Sequence, residues 1–335
     1  MTRLTDVARR AGVSPMTVSR VIHGSPMVSA ELRARVEEAL AETGYLPNAL
    51  ARGLRAGRTG TIALVLPDMT NPFFTTLAQG VETAAREAGV TMFLANSDED
   101  EDEEQRLVRV LVQRQVDGLL IVPAGAGAAS IRLCLERGVH VVLVDRRPAS
   151  NGVDIVRADS EAGSLELGRL LVGLGHRHAA VLSGPPSVPT AVDRVAGFRR
   201  AWVDEAGLPE PLVVYGAFTI EAGRAMATEL MGASPRPTAL FAANNFIAIG
   251  VLHALVALGL RVPEDVVVVG FDDLPEAMVT FPFLTVAAQP AFEEGRQAVA
   301  VLLTRLADPA RPPQEIVLPT RLIVRRSSGG PIARS

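Results

Sequence analysis

A short helix near the amino terminus would carry side chains able to hydrogen-bond to the edges of DNA bases. Ser14 and Pro15 are typical of a helix start, because a serine side chain caps free backbone N–H groups and proline fixes the first helical φ. One face of the helix that follows is apolar, and the rest of it carries Met16, Thr17, Ser19 and Arg20. A helix that packs through one face and presents polar groups on the other has the form needed to read the major groove.

Two further helices would hold this segment in place. Residues 4–11 have a helical pattern that Gly12 ends, so helix, tight turn and helix follow with the spacing of a helix-turn-helix. A third amphipathic helix is predicted from Ser29, its cap, to Thr43, and Gly44 stops it. The sequence therefore predicts a small all-α headpiece.

Composition restricts the classes of function that remain. The chain has 335 residues, enough for two or more domains, and its single cysteine, Cys134, excludes a disulfide framework. Residues 1–58 hold nine arginines against five acidic residues, although the whole chain has a net charge of −4, so attraction to DNA is confined to this part. No apolar run is long enough to cross a bilayer and no signal-peptide pattern is present, so we expect a cytoplasmic protein without membrane contact.

The segment after the headpiece could form one more helix, over residues 48–55. Eight residues are too few to be helical alone in water, and Gly53 weakens the helix by about 1 kcal/mol relative to alanine. We therefore expect this segment to become ordered only when DNA and a second subunit stabilise it.

From Thr61 onward, apolar strands alternate with amphipathic helices, which is typical of parallel sheets covered on both faces. The strand-like runs are Thr61–Leu66, Thr91–Ala95, Gly118–Val122, His140–Val144, Ala179–Ser183, Ala239–Ala242 and Val266–Phe271. The strand and helix units are too many for one small sheet. The sequence therefore predicts an α/β fold with two doubly wound subdomains and a cleft between them. In such folds ligands bind at the carboxyl ends of the strands.

Eight motifs occur in order along essentially the whole chain: Asp6–Ser14, Thr17–Val21, Gly44–Asn48, Asp68–Phe74, Val116–Gly118, Gly175–His178, Arg194–Phe198 and Gly270–Asp273. In this order they resemble the lactose-repressor/galactose-repressor (LacI/GalR) family of bacterial transcription regulators. The resemblance implies a helix-turn-helix headpiece, a hinge helix with its linker, and a periplasmic-binding-protein-like core, over residues 1–47, 48–59 and 60–335. It also divides the core into an N-subdomain and a C-subdomain, at about 60–159 with 291–320 and about 160–290 with 321–335.

For DNA, the resemblance implies contacts from Pro15, Met16, Thr17, Ser19, Arg20, His23, Tyr45, Asn48 and Leu54. Arg20 suits a bidentate contact with guanine, worth roughly 1–3 kcal/mol of discrimination. Leu54 matches the leucine that family members insert into the minor groove, where such wedges kink the duplex. Gly53 departs from the usual family residue before it. The expected target is a pseudo-palindromic operator in double-stranded DNA, bound by a homodimer.

For the cleft, the resemblance implies an effector site formed by Phe73, Phe74, Asp145, Arg194, Phe218, Asn244 and Asp272. Guanidinium, carboxylate and amide groups around aromatic faces suit a polyhydroxylated ligand, so a carbohydrate is the expected small molecule. Val188 replaces an arginine found in some purine-binding members, which favours a sugar over a nucleobase. Asn245 follows Asn244 where family members commonly have aspartate.

The resemblance implies a transcription regulator, in particular a repressor, whose operator affinity a small molecule controls. Control by a partner protein, or by a nucleoside or purine, stays open, and a sugar-binding protein without a DNA role is a more remote alternative. We expect no enzyme, cofactor or metal site. The acidic run at residues 98–104 is interpreted as a solvated helix start, residues 125–127 lack the third glycine of a dinucleotide site, and the chain contains no lysine.

Overall fold

The computed structural model describes residues 2–22, 25, 27–45, 59–125, 128–147, 152–275, 279 and 281–329. Within them, the first of two units contains α1 (Leu4–Ala11), α2 (Pro15–Ile22) and α3 (Ala30–Thr43). These helices bury an apolar core that includes Val7, Val18 and Val36. The predicted helix starts are confirmed, because the Ser14 hydroxyl accepts from the Thr17 N–H and the Ser29 hydroxyl from the Leu32 N–H.

The chain divides between Thr59 and Gly60. The hinge helix predicted over residues 48–55 falls just before this division and lies outside the described residues. The same is true of His23, Asn48 and Leu54, so the DNA contacts expected of them stay predictions.

Two six-stranded sheets form the second unit, Gly60–Ser335. The first sheet has the order β11-β5-β4-β3-β1-β2, with β1 (Thr61–Leu66), β2 (Thr91–Asn96), β3 (Gly118–Ile121), β4 (His140–Val144), β5 (Asp154–Ala158) and β11 (Glu315–Leu318). The second has the order β12-β10-β9-β8-β6-β7, with β6 (Ala179–Ser183), β7 (Leu212–Tyr215), β8 (Ala239–Ala242), β9 (Val267–Phe271), β10 (Thr285–Ala288) and β12 (Arg321–Ile323). All strand pairs are parallel except β10 with β12, which confirms the two predicted doubly wound subdomains.

Helices cover both faces of each sheet. The first sheet packs against α4 (Pro72–Glu87), α5 (Glu101–Gln113), α6 (Ala128–Glu136) and α11 (Ala291–Ala307). The second packs against α7 (Ser160–Gly173), α8 (Pro189–Arg199) with its π-helical continuation Arg200–Glu205, α9 (Ile220–Met231) and α10 (Asn245–Ala257). No helix within the described ranges is long and apolar enough to cross a membrane.

The chain passes between the two sheets three times, after β5, after β10 and after β11. Each subdomain is therefore built from separate stretches of sequence. The strands that the sequence pattern missed are β5, β7 and β10 to β12, of which β7, β11 and β12 are short and lie at or near sheet edges. Edge strands bury less apolar surface, so they have weaker hydrophobic patterns.

Helices α4 and α11 cross closely over the first sheet because each presents a glycine to the backbone of the other. A Cβ atom on Gly80 would overlap the carbonyl of Phe292, and a Cβ atom on Gly295 would overlap the carbonyl of Leu77. This contact fixes the amino-terminal turn of α11, which begins directly beside the cleft described below.

We expect Gly295→Ala to lower the free energy of unfolding by about 1–3 kcal/mol, because the added methyl group must push two backbones apart. Thermal melting would measure the loss. Gly173→Ala is the matched control, since its new Cβ would meet nothing within 4 Å. Equal melting temperatures for the two variants would contradict the close crossing of α4 and α11.

Candidate functional site

A cavity of about 480 Å³ lies between the two subdomains of the second unit, at the carboxyl ends of the strands. Its lining includes every side chain that was predicted for the effector site: Phe73, Phe74, Asp145, Arg194, Phe218, Asn244 and Asp272. The structure thus brings together residues that are up to 199 positions apart in the sequence. The chemistry of these side chains indicates which kind of ligand they can bind.

Two aspartates occupy equivalent places in the two subdomains. Asp145 directly follows β4 and Asp272 directly follows β9, and both have left-handed backbones, with φ of 62° and 68°. Their backbone N–H groups donate to Val156 O at 2.9 Å and Ala287 O at 3.0 Å, so each stays attached to the neighbouring strand. A non-glycine residue in this conformation costs energy that the surrounding structure must supply. With this backbone conformation, both carboxyl groups line the cleft.

Arg194, on α8, is the guanidinium that faces Asp272. Its Nη1 donates to Ala243 O at 2.7 Å and lies 3.8 Å from Asp272 Oδ2, and its Cζ lies 4.0 Å from the Phe271 ring centroid. Nε of Arg194 and Oδ1 of Asp145 are buried without a hydrogen-bond partner among the described residues. Nε of Arg146 is in the same state, so two donors and one acceptor beside the cleft have no partner among the described residues.

Burial raises the pKa of both aspartates, since the charged form loses its hydration. The pKa of Asp145 rises to about 6, with Arg194 and Arg146 opposing the effect of burial. The pKa of Asp272 is also raised, while Arg194 and a hydrogen bond from Gln289 Nε2 at 2.6 Å oppose the rise.

Arg146, which was not among the predicted site residues, is almost completely buried in the cleft. Its two terminal nitrogens donate to the two carboxyl oxygens of Glu99, each at 2.7 Å. Its Cζ lies 5.8 Å from the Phe74 ring centroid and 5.9 Å from that of Phe218. Because the two rings belong to different subdomains, Arg146 lies between the two walls of the cleft. Its position next to Asp145 was the only sequence signal for it.

Two asparagines link the subdomains directly. The side-chain amide of Asn71 donates to Asn245 at 3.1 Å, and the amide of Asn245 donates back to Asn71 at 2.9 Å. Both residues start helices, because Asn71 caps α4 and Asn245 opens α10. The neighbouring Asn244 caps α10 through its Oδ1, which accepts from the Ile247 N–H at 2.8 Å, and so keeps its amide nitrogen for the cleft.

The headpiece presents a second candidate surface on α2. Pro15, Met16 and Arg20 are exposed there, Met16 by 64%, whereas Thr17 and Ser19 are half-buried. Tyr45 is half-buried and packs against the headpiece core. Val18 and Val21 are buried, so the division of α2 into an inward apolar face and an outward face agrees with the pattern in the sequence.

Among the residues that the structure describes, no group of three His, Cys, Asp or Glu side chains could hold a metal ion. Cys134 is buried, and burial raises the pKa of its thiol to about 12. A thiol in that state is a poor nucleophile.

Comparisons with known proteins cover both units. A family model described as bacterial regulatory proteins, lacI family, matches residues 3–48. A second, described as periplasmic binding proteins and sugar binding domain of LacI family, matches residues 59–325.

Similar proteins extend over nearly the full length. The ribose operon repressor of Escherichia coli (strain K12) is 36% identical over 332 residues, which are 98% of this chain and 100% of that protein. The lac repressor dimer bound to operator and the anti-inducer ONPF has a TM-score of 0.87 and 27% identity, covering 98% of this chain and 99% of that one. A LacI family transcriptional regulator from Enterococcus faecium with bound ribose has a TM-score of 0.71 and 30% identity, covering 80% of this chain and 98% of that one.

Proposed function

The chain belongs to the LacI family of bacterial regulatory proteins, and we propose that its effector is a neutral monosaccharide of the pentose class. D-Ribose is the first candidate, because one similar protein is a ribose operon repressor and another was solved with bound ribose. As a member of this family the chain is a sequence-specific DNA-binding repressor that acts as a dimer and responds to a small molecule. We further propose that its role is regulatory and not catalytic. Because its target is DNA, we propose that it acts in the cytoplasm.

The observation that carries the sugar proposal is the set of unpartnered polar atoms in the cleft, which are Oδ1 of Asp145 and Nε of both Arg194 and Arg146. Oδ1 of Asp145 can only accept a hydrogen bond when it is ionised, and Nε of Arg194 can only donate one. These atoms are enclosed in the structure, so we propose that the side chains around them shift when a ligand enters. A hydroxyl group both donates and accepts, so neighbouring hydroxyl groups of one sugar can then satisfy them. The rings of Phe74 and Phe218 line the same space, one from each subdomain.

Charge further narrows the class of ligand. Among the described residues, six carboxyls and two guanidiniums line the cavity: Asp68, Asp98, Glu99, Glu101, Asp145 and Asp272, with Arg146 and Arg194. An excess of negative charge repels phosphorylated and acidic sugars and favours a neutral ligand. The buried Val188, also in the lining, has no polar atom for the exocyclic groups of a purine, which makes a purine the less favoured effector.

Our proposal for the response uses both walls of the cleft. A ligand held by Asp145 and Arg146 of one subdomain and by Arg194, Asn244 and Asp272 of the other stabilises one relative arrangement of the two. Any such preference changes operator affinity and effector affinity by the same factor, because the coupling is reciprocal. We propose that the segment at residues 48–59, with Leu54, transmits the change by gaining or losing helical structure.

Exposed apolar side chains on the second unit offer surfaces for the dimer. Phe93 and Leu94 are exposed on the edge strand β2, and Val256 and Phe281 are 78% and 83% exposed on the other subdomain. Where exposed apolar side chains join into one contiguous patch, the patch marks an interaction site. We propose that both subdomains contribute to the dimer contact.

The decisive experiment first selects bound duplexes from a randomised pool and then titrates the selected duplex with the full-length protein. D-Ribose is expected to change the affinity by roughly 5- to 150-fold, and cellobiose and hypoxanthine are not. Arg20→Ala is expected to lose duplex binding and keep ribose binding, because the two sites are separate. A response to hypoxanthine without one to D-ribose would reject the sugar proposal in favour of a purine.

A further inference from the structure

One carboxyl group beneath the cleft has no role in the function proposed above. Glu294 lies in the first turn of α11, is completely buried and is close to both Asp145 and Asp272. Neither of its carboxyl oxygens has a hydrogen-bond partner among the described residues. Taking a carboxylate out of water without a partner is so costly that such groups bind a proton instead.

The charges around Glu294 also favour its protonated form. The groups that act on it are Asp145 at the end of β4, Asp272 at the end of β9 and Arg194 on α8. Helix α4 crosses α11 at Gly295. On this side α4 contributes apolar side chains, Leu77 among them, to the core beneath the first sheet. A nearby donor, the backbone N–H of Asp145, is already committed to Val156 O.

Among the described residues, Arg194 and Arg146 are the guanidiniums beside this cluster, and Arg146 is largely committed elsewhere. Arg146 uses both terminal nitrogens on Glu99, and Nη1 also donates to Pro123 O at 2.7 Å, while its Nε stays 3.8 Å from Asp145. Asp272 and Glu294 therefore depend on Arg194, and Asp145 depends on both Arg194 and the partly committed Arg146. With all three ionised, the buried cluster would hold an excess negative charge that its surroundings do not balance.

We propose that Glu294 is a positioning residue that carries a proton at neutral pH, and that its neutral carboxyl group allows Asp145 and Asp272 to stay ionised as acceptors for the effector. The role assigned to the two aspartates rests on the proposed sugar function, whereas the bound proton does not. Glu294 thereby sets the charge of the cleft without touching the ligand.

The directions of the pKa shifts support a protonated Glu294. Burial, followed by repulsion from Asp145, raises the pKa of Glu294 well above its ordinary value. The pKa of Asp145 rises only to about 6, mainly through burial. Because the two carboxyl groups repel each other, a proton on Glu294 favours an ionised Asp145.

A raised pKa in the folded protein has a definite effect on stability. The unfolded chain releases the Glu294 proton near pH 4.5, whereas the folded protein still holds it above that pH. The contribution of this group to stability is thus complete below pH 4.5 and is lost as the pH rises toward the folded-state pKa. Each pH unit in this window reduces the ratio of folded to unfolded protein by up to about tenfold.

The first test needs no effector. Full-length wild type, Glu294→Gln and the control Glu293→Gln are melted between about pH 5 and pH 9; Glu293 is the exposed neighbour on the same helix. Relative to Glu294→Gln, wild type and Glu293→Gln are expected to lose stability together as the pH rises. Glu294→Leu, which also lacks the acid, replaces the glutamine variant if that variant does not fold. Wild-type and Glu294-variant curves that run parallel would overturn the proposal.

An infrared spectrum gives a second readout on the wild-type protein itself. The carbonyl band of a protonated carboxylic acid is expected near neutral pH in wild type and in Glu293→Gln, and is expected to disappear in Glu294→Gln. Its absence from the wild-type spectrum would show that Glu294 is ionised and would overturn the proposal.

D-Ribose titration by calorimetry at pH 7.5 tests the positioning role. Glutamine mimics a neutral acid, so Glu294→Gln is expected to bind within about twofold of wild type, whereas Asp145→Asn is expected to bind at least about tenfold more weakly. A tenfold loss in Glu294→Gln would contradict a neutral Glu294. If wild type does not bind ribose while the pH curves separate, the sugar proposal fails and the proton assignment stands. If ribose binds and the curves are parallel, the proton assignment fails and the sugar proposal stands.

Discussion

Arg194→Lys is expected to weaken D-ribose binding by roughly 10- to 150-fold and to leave duplex binding without effector unchanged. Lysine keeps the positive charge that Asp272 requires, but it loses the planar fork that donates to Ala243 O and leaves Nε for the ligand. The loss of a charged hydrogen bond is worth about 1.5–3 kcal/mol, which gives the range of affinities stated. Calorimetry would measure the ribose affinity, and fluorescence anisotropy with the selected duplex would measure DNA binding.

Lysine is preferred to alanine at this position because alanine would remove the cation that acts on all three buried carboxyl groups. Arg199→Lys is the matched control, since Arg199 lies on the same helix but forms a solvent-exposed pair with Glu210. This control is expected to bind ribose like wild type. Unchanged ribose affinity in Arg194→Lys would show that the effector does not bind beside α8.

The second large effect is expected on stability, from Arg305→Met. The Arg305 side chain donates from Nε and Nη2 to the two carboxyl oxygens of Asp154, at 2.8 and 3.0 Å. Its remaining N–H groups donate to the carbonyls of Pro309, Arg311 and Pro312 in the loop that leads to β11. Removing the arginine leaves Asp154 buried and unpaired, which costs roughly 3 kcal/mol. A fall in melting temperature of roughly 5 °C or more is therefore expected.

Calorimetric melting of three variants would test the cause of that fall. Arg296→Met lies on the same helix, and its partner Glu87 is exposed, so little change is expected from it. Arg305→Met combined with Asp154→Leu is expected to recover part of the loss, because the double variant has no unpaired buried charge. A single Arg305 variant as stable as the Arg296 variant would contradict the importance of this pair.

The sequence pattern revealed the strands whose own side chains are apolar enough to be buried without a distant partner. Strands such as β1, β4 and β9 are continuous apolar runs, and their place in a parallel sheet follows from that pattern. Strand β5 contains Asp154 and Arg157, which interrupt its pattern. Asp154 can be buried only because Arg305, 151 residues later, pairs with it, and no local pattern contains that information.

The same distinction applies to the cleft. Asp145 and Asp272 could be placed there because each directly follows a strand. Arg146 and Glu294 could not, since a charged residue is ordinarily expected at the surface. The burial of Arg146 depends on Glu99, 47 residues away.

Asn245 shows what a departure from the family pattern can signify. The sequence showed only that asparagine stands where aspartate is common. In the structure, its amide exchanges two hydrogen bonds with Asn71 across the cleft. An aspartate could accept one of these bonds but could not donate the other.

The repeated passage of the chain between the sheets has a consequence for biosynthesis. Strand β11 pairs with β5, but 156 residues separate the end of β5 from the start of β11. At ordinary elongation rates the ribosome needs on the order of ten to thirty seconds to make that stretch. Throughout this delay the nascent first subdomain has an unpaired strand edge, where another chain could add. The helices of the headpiece leave the ribosome long before, so the DNA reader is synthesised well ahead of a sensor that can close.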